Sequence, residues 1–242
     1  MRRGTRIRLF GVAATVLFAG WVLACAELPP FGGDVHPYGE RAVAAALTRH
    51  TANAVSSVNF DQRAFDTLGE ESVLFAAVLG ATVLLRLARD ERKVVPAPRT
   101  VLPATRLLGA LLLPVALLTG WYVVAHGQLS PGGGFQGGVV LASGLHLAYV
   151  AADFRVLGRV RPLAVLEVTD ALAAAAFTAL GLVGLAVAGA YLANTLPLGA
   201  IRDLASGGLV PLVNAAVGVE VGSGVVVLLA SFLDQAVEVT DK

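Results

Sequence analysis

The sequence predicts an all-α, polytopic membrane protein with about six transmembrane helices. Hydrophobic residues make up 56% of the 242 residues, charged residues make up only 14%, and the mean hydropathy is +0.75. Several apolar runs approach the ~20 residues that cross a hydrocarbon core of roughly 30 Å. These runs show no strand-like alternation, and a helix satisfies its own backbone hydrogen bonds in lipid. Each run is therefore interpreted as a helix.

Six apolar runs are the predicted spans, so the connections between them alternate between the two sides of the membrane. They cover residues 7–26, 68–87, 107–125, 133–151, 166–192 and 209–233. If the N-terminus is cytoplasmic, 14 of the 18 lysines and arginines fall on the cytoplasmic side. This asymmetry fits the positive-inside rule. We therefore expect both termini in the cytoplasm of a bacterial or archaeal cell, with the chain in its inner or plasma membrane.

The first run admits a second interpretation. Basic residues 1–8, an apolar run and the sequence Val-Leu-Ala-Cys25 resemble a secretory or lipoprotein signal peptide. The apolar run is longer than a usual signal core, and the residues before Cys25 match a lipobox only loosely. A retained helix is therefore the favoured interpretation.

Two connections are longer than simple turns. Residues 90–100 are polar and contain proline, which is typical of a linker. They would join a two-helix N-terminal part to a four-helix C-terminal part. In the connection between the first two spans, the spaced apolar residues of 42–65 predict an interfacial or half-inserted helix.

Charged residues inside the spans are the first candidates for a functional role. Inserting one at the centre of a transmembrane helix costs at least about 2.5–3.5 kcal/mol. Glu220 lies near the middle of the sixth span without a partner in its own helix. It indicates an ion or proton path, or a buried pair with another helix. Gly218 and Gly222 beside it allow close packing. Glu167 and Asp170 mark the cytoplasmic start of the fifth span, either as a funnel or as interface residues.

Four further residues are candidates for ion translocation. Asp66 and Glu70 are four residues apart, so they share one face if the helix begins by Asp66. Carboxylates suit a hard cation such as Na⁺ or relay protons, whereas helix capping would explain Asp66 without an ion. His126 and His146 suit proton shuttling, although a structural hydrogen bond is the favoured role for each.

A glycine-rich segment, residues 126–138, joins the third and fourth spans. It lacks the Gly-Lys-Ser/Thr ending and the preceding strand of a phosphate loop. Gly133 with Gly137, and Gly134 with Gly138, instead provide small-xxx-small faces for helix packing. The residues assigned to this packing and turn motif are Ser130, Pro131, Gly132, Gly133, Gly134, Phe135, Gln136, Gly137 and Gly138.

Several function classes are excluded by features that the sequence lacks. It has no basic cluster with interleaved aromatic residues, so we expect no nucleic-acid partner. The single cysteine, Cys25, rules out an internal disulfide and a cysteine-based metal cluster. It also has no nucleophile–base pair, HExxH motif or Cys/His metal spacing. We therefore expect no independent enzyme, no metal site and no cofactor.

Two stretches of the sequence resemble known families. The segment 126–138 with the preceding span, Asn194-Thr-Leu-Pro197 and Ser206-Gly-Gly-Leu-Val-Pro-Leu-Val-Asn214 resemble the MnhB family, small membrane components of Mrp-type Na⁺/H⁺ antiporters. Residues 59–70, Asn-Phe-Asp-Gln-Arg-Ala-Phe-Asp-Thr-Leu-Gly-Glu, resemble the E component of membrane-bound hydrogenases, equivalent to the C-terminal region of the large Mrp A protein. We therefore expect a fusion of a hydrogenase E-like segment, residues 1–95, with an MnhB-like domain, residues 101–236.

The resemblance implies an accessory ion-translocating membrane subunit of a multi-subunit, Mrp-like Na⁺/H⁺ antiporter. Its implied partners are other membrane subunits, Na⁺, H⁺ and the lipid bilayer. The matched motif residues are Asp66, Thr67, Gly69, Glu70, His126 and residues 130–138. Because the spans contain no lysine, the main proton channel is not assigned to this chain. Two alternatives stay open: a membrane-arm subunit of a hydrogenase or other complex-I-like oxidoreductase, and a purely structural scaffold.

Overall fold

The structure is a computed structural model that describes residues 3–28, 36–85, 91–93, 101–151, 163–233 and 237–239. In chain order its elements are α1 (Arg3–Ala26), α2 (Pro37–Thr48), α3 (Ala54–Ser57), a π-helix (Val58–Gln62), α4 (Ala64–Leu84), β1 (Glu91–Lys93), α5 (Pro103–Ala125), α6 (Gly134–Ala151), α7 (Leu163–Ala188), α8 (Val210–Leu233) and β2 (Val237–Val239). Each predicted span corresponds to one helix. α4, α5, α7 and α8 are long and apolar enough to cross a membrane, and α1 contains a shorter apolar stretch. The prediction of a helical multi-pass membrane protein is confirmed, with two short strands that were not predicted.

Residues 1–40 form a separate compact unit whose main element is α1. From Gly11 to Ala26, every residue of this helix is exposed. A helix that is apolar all round is typical of a membrane span. Retention of α1 in the mature protein stays a prediction.

α8 is the central helix of the second compact unit, residues 41–242. Of its apolar stretch, 61% is buried, against 17–22% for α4, α5 and α7. The helices α4, α6 and α7 pack on α8, and its valines meet Phe60 and Phe177 in the hydrophobic core. The polar residues Asn214, Glu220 and Ser223 of this helix are buried in protein.

The two ends of this helical bundle differ in what they contain. The turn end holds residues 126–133, which connect α5 to α6, and the beginnings of α4 and α8. The strand end holds β1 and β2, which pair antiparallel with Glu91 opposite Val239 and Lys93 opposite Val237. Because β1 follows α4 and β2 follows α8, both helices end on the same side. Between the end of α4 and the end of α8 the chain passes through four helices, α5 to α8, and an even number returns it to the same side.

The connection before α4 differs from the single helix predicted over residues 42–65. α2 ends at Thr48, and α3 begins after Asn53. The Oδ1 atom of Asn53 accepts hydrogen bonds from the backbone N–H groups of Val55 at 3.1 Å and Ser56 at 3.3 Å. An asparagine that caps a new helix in this way interrupts the one before it. The prediction of one continuous helix was therefore wrong.

The fifth predicted span is shifted along the chain. α7 covers Leu163–Ala188 instead of residues 166–192. Gly189 has a φ angle of +69°, the left-handed conformation that commonly ends a helix. The earlier start of α7 places Asp170 two turns inside the helix. The expectation that Asp170 lies at the entrance of the span stays a prediction, while its side chain is buried in the bundle.

The predicted boundary between residues 95 and 101 falls largely outside the described residues. α4, which precedes it, packs on α7 and α8, which follow it. The two sequence segments therefore contribute to one bundle. The division into residues 1–95 and 101–236 stays a prediction.

Candidate functional site

Asn214 connects three elements at the turn end of the bundle, and its side chain is fully buried. Its Oδ1 atom accepts a hydrogen bond from the Gly134 N–H at 2.9 Å. Its amide nitrogen donates to Ser56 Oγ at 3.0 Å and to the Val210 carbonyl at 3.1 Å. A buried amide with all of these partners is a stabilising connection between α3, α6 and α8.

The glycines of the turn leave the space that Asn214 occupies. A Cβ atom on Gly127 or Gly133 would lie 2.6 or 2.8 Å from Asn214 Oδ1. Gly132 and Gly133 also have φ angles of +145° and +133°, which side chains disfavour. This segment therefore needs glycine for its backbone conformation and for the close approach of α8.

The same segment is held to the loops at the turn end. Asn53 Nδ2 donates to the carbonyls of Gly127 and Ser130, both at 2.8 Å. Gln128, which is fully buried, donates from Nε2 to the Leu204 carbonyl at 2.6 Å. These bonds join the turn to the segments before α3 and before α8. They indicate packing and positioning rather than ion binding.

The helical part of the glycine motif faces two different neighbours. A Cβ atom on Gly134 or Gly138 would lie 2.6 Å from Val217 Cβ or 2.7 Å from Val221 Cβ, both on α8. Gly137 instead faces α5, where its added Cβ would lie 2.7 Å from a backbone carbonyl. α6 can therefore pack closely against α5 and α8 at the same time. The remaining motif residues Pro131 and Gln136 are exposed, while Phe135 packs on the core.

Three buried carboxyl groups lie where α4, α7 and α8 meet, and we call them the carboxyl cluster. The exposed fraction is 2% for Glu71, 5% for Asp170 and 0% for Glu220. The side chains of Glu71 and Glu220 are within hydrogen-bonding reach of each other. Asp170 lies beside Gly224, one helical turn after Glu220, where an added Cβ would be 3.0 Å from Asp170 Oδ1. Ionisable groups from three helices are therefore concentrated inside the bundle.

Within the described part of the chain, no donor reaches any of the four carboxyl oxygens of Glu71 and Glu220. An ionised carboxylate that is buried without a donor or cation is costly by several kcal/mol. The arrangement therefore calls for a neutralising proton or cation. This requirement distinguishes the carboxyl cluster from the Asn214 amide, whose oxygen and nitrogen both have hydrogen-bond partners.

Of the five residues predicted for ion translocation, Glu220 is the one that belongs to the carboxyl cluster. Asp66 and Glu70 lie on the exposed side of α4, four residues apart in one helix, and Asp66 pairs with Arg63. The next residue, Glu71, points into the bundle because each helical residue rotates the side chain by about 100°. An ion-translocation role for Asp66 and Glu70 stays a prediction.

The two predicted histidines lie on α6 and at the end of α5. His126 is partly exposed, stacks on Tyr122 with ring centroids 3.9 Å apart, and donates from Nδ1 to the Tyr122 carbonyl at 3.0 Å. His146 lies partly buried on α6 and has an interaction partner. The contacts of His126 are those of a structural residue, and proton transfer by either histidine stays a prediction.

Glu71 was not predicted as a candidate from the sequence, and its buried position becomes apparent only from the structure. The buried residues of α4 are Ala64, Thr67, Glu71 and Val78. Their spacing of three, four and seven residues describes one helical face. A carboxylate on the inner face of a span is a stronger candidate than its exposed neighbour, but which face of α4 is the inner one follows from helix packing and not from the sequence.

This chain resembles known proteins in both sequence and structure. The family model described as "Domain related to MnhB subunit of Na+/H+ antiporter" matches residues 104–227. An uncharacterized protein of Methanocaldococcus jannaschii is 29% identical over 244 residues, which cover 90% of this chain and 86% of the relative.

Two solved assemblies contain chains with a similar fold. One is the membrane-bound sulfane sulfur reductase, an archaeal respiratory membrane complex. Its similar chain is 29% identical with a TM-score of 0.73, over 93% of this chain and 97% of that one. The other is the Mrp complex from Dietzia sp. DQ12-45-1b, with 23% identity and a TM-score of 0.71, over 98% of this chain and 26% of a longer chain. The similarity to the Mrp complex chain shows that the two chains share a fold.

Proposed function

This chain belongs to the family of domains related to the MnhB subunit of Na⁺/H⁺ antiporters, and from that premise we propose that it is an accessory ion-translocating subunit of a multi-subunit, Mrp-like cation/proton antiporter. Its partners would be other membrane subunits, and its transported ions Na⁺ and H⁺. The proposal includes insertion in the cell membrane with both termini in the cytoplasm. The chain would have no catalytic activity of its own.

The observation that carries this proposal is the burial of Glu220 without a donor. Glu220 is fully buried, about 15 Å along α8 from its first residue, near the middle of a helix of membrane-spanning length. A subunit that served only as a scaffold would gain nothing from a carboxyl group there, because apolar residues pack a bundle at lower cost. A group that takes up and releases an ion needs a carboxylate that no donor of the protein already neutralises.

The absence of lysine from the predicted spans supports an accessory role for the subunit. Its two lysines, Lys93 and Lys242, lie outside the predicted spans. A carboxylate relay that crosses the whole membrane commonly includes further ionisable groups within the spans. The rest of the ion path would therefore belong to neighbouring subunits.

The proposal is tested with the assembled complex in everted vesicles from cells that lack other Na⁺/H⁺ antiporters. We expect Glu220→Gln to lower the Na⁺-dependent dissipation of a pH gradient by roughly tenfold or more, with normal assembly. Glu167→Gln is the matched control, because Glu167 is an exposed carboxylate on α7. Full activity of Glu220→Gln would remove Glu220 from the ion route and favour a structural role.

A second candidate function is a membrane-arm subunit of a redox-driven complex. The observation that favours it is the near full-length match to a chain of the sulfane sulfur reductase complex. Purification of the complex from native membranes distinguishes the two candidates. Hydrophilic subunits that contain iron–sulfur clusters would favour the redox complex, whereas membrane subunits alone would favour the antiporter.

A further inference from the structure

We propose that Glu71 and Glu220 share a single proton and that Asp170 is the next acceptor for it, so that the carboxyl cluster carries H⁺ and not Na⁺. This inference rests on the proposed ion-translocating function and names the ion that this site takes. It concerns Glu71 and Asp170 as well as Glu220, and it leaves the exposed Asp66–Glu70 face of α4 available for a different ion.

The shared proton follows from the hydrogen-bonding capacity of carboxyl groups. An ionised carboxylate only accepts hydrogen bonds, whereas a protonated one also donates. Glu71 and Glu220 approach each other to hydrogen-bonding distance, and no other donor reaches either of them in the described residues. One proton between the two groups provides the missing donor and leaves one negative charge in place of two. Two carboxyl groups that share a site commonly behave in this way.

The surroundings of the pair do not suit a sodium ion. A hard cation of this kind requires several oxygen ligands, from carboxylates, carbonyls or water. α4, α7 and α8 are continuous at Glu71, Asp170 and Glu220, so their backbone carbonyls accept helical hydrogen bonds. Over the described ranges, no group of three His, Cys, Asp or Glu side chains has a metal-binding arrangement.

Asp170 is positioned to accept the proton on the side of the strand end. It lies beside Gly224, about 6 Å further along α8 than Glu220. In the transfer, an O–H bond of the Glu71–Glu220 pair breaks and an O–H bond forms on Asp170. The negative charge moves in the opposite direction, so the total charge of the cluster stays constant. Besides these three residues, Glu70 is the described ionisable group that acts on Glu71, and it lies on the exposed side of the same helix.

Two buried polar side chains lie between the pair and the turn end, beside core residues that include Val213 and Val217. Thr67, one turn before Glu71, is 2% exposed and donates to the Asn59 carbonyl at 2.7 Å. On α8, the buried Asn214 precedes Glu220 by about 9 Å. Buried polar side chains therefore occur on both helices between the pair and this end of the bundle. Asp170 lies on the other side of the pair, beside Gly224 and nearer to the strand end.

The proton count is tested by infrared difference spectroscopy on the assembled complex in lipid nanodiscs. We expect Glu71→Gln and Glu220→Gln each to remove the same protonated-carboxyl band, because glutamine supplies the donor that the remaining carboxylate needs. The double variant should lose no more than either single variant. Loss of two bands in the double variant would overturn the shared proton, as would a spectrum unchanged in both single variants. Glu70→Gln is the matched control.

The identity of the ion is tested on the same sample. Addition of NaCl, with KCl as the control, should leave the shared band unchanged, and a loss of the band with Na⁺ alone would assign the site to Na⁺.

Asp170→Asn should keep the band and lower transport by roughly tenfold. Full transport in this variant would remove Asp170 as the acceptor. If Glu220→Gln transports normally but the band behaves as expected, the proposed function fails and the shared proton stands.

Discussion

The amide oxygen of Asn214, on the last transmembrane helix, accepts a hydrogen bond from the backbone N–H of Gly134, at the first residue of α6, at 2.9 Å. This bond is possible because residues 133 and 134 have no side chain to occupy the space. It links the glycine-rich turn to the helix that carries Glu220. Closure of the bundle at the turn end and the position of the carboxyl cluster therefore depend on one helix.

We expect Asn214→Leu to destabilise the folded chain strongly. The substitution leaves the Gly134 N–H buried without an acceptor, which costs about 1–3 kcal/mol, and it removes the hydrogen bond to Ser56. Thermal unfolding of the purified chain in detergent measures the effect. Gln136→Leu is the control, since Gln136 is exposed on α6. Equal stability of the two variants would show that the Asn214 network contributes little.

Gly134→Ala should disrupt the contact between α6 and α8. The new Cβ would lie 2.6 Å from both the Asn214 carbonyl and Val217 Cβ, so one helix must move. Overpacking of this kind typically costs about 1–3 kcal/mol. The matched substitution is Gly80→Ala, because nothing lies within 4 Å of an added Cβ there. Assembly assayed by size-exclusion chromatography should be impaired in the first variant and normal in the second.

Gly224→Ala should lower transport without preventing assembly. An added Cβ would lie 3.0 Å from Asp170 Oδ1, so the Asp170 carboxyl must shift away from its position. Gly222→Ala, only two residues away, introduces no contact closer than 3.6 Å and is the matched control. Na⁺-dependent pH-gradient assays in vesicles measure both variants. Equal activities would contradict a role for Asp170 in proton transfer.

Glu70→Gln should lower Na⁺-dependent activity while the stability of the chain changes by less than about 1 kcal/mol. Glu70 is exposed on α4, so its carboxyl group can reach an ion or a neighbouring subunit.

Asp66→Asn tests the capping alternative, because Asp66 pairs with Arg63 in the first turn of the helix. Loss of stability in Asp66→Asn with unchanged transport would assign Asp66 to capping alone.

Both chain termini should be reached from the cytoplasm. The pairing of β1 with β2 brings the segments after α4 and α8 together at one end of the bundle. Protease protection of N-terminal and C-terminal tags in right-side-out and everted vesicles tests the topology. Tags on opposite faces would contradict the six-span arrangement and the depth assigned to Glu220.

Much of the fold could be predicted from local properties of the sequence. Apolar runs of ~20 residues determine which segments enter the bilayer, because the free energy of insertion depends on length and composition. The points where helices end or are interrupted were harder to predict, because they depend on single residues. Asn53 caps α3 and interrupts the helix expected over 42–65, and Gly189 ends α7 before residue 192.

By itself, the sequence determined the six helical segments, the family and the presence of a carboxyl group in the middle of the last span. Only the tertiary structure decided which other acidic residues accompany Glu220. Glu70 and Glu71 are adjacent in the chain, yet rotation of the helix exposes the first and buries the second. Asp170 joins Glu71 and Glu220 because α7 packs on α8, where Gly224 leaves space for its carboxyl group. Hydropathy reports how deep a residue lies, whereas the direction that its side chain faces depends on how neighbouring helices pack.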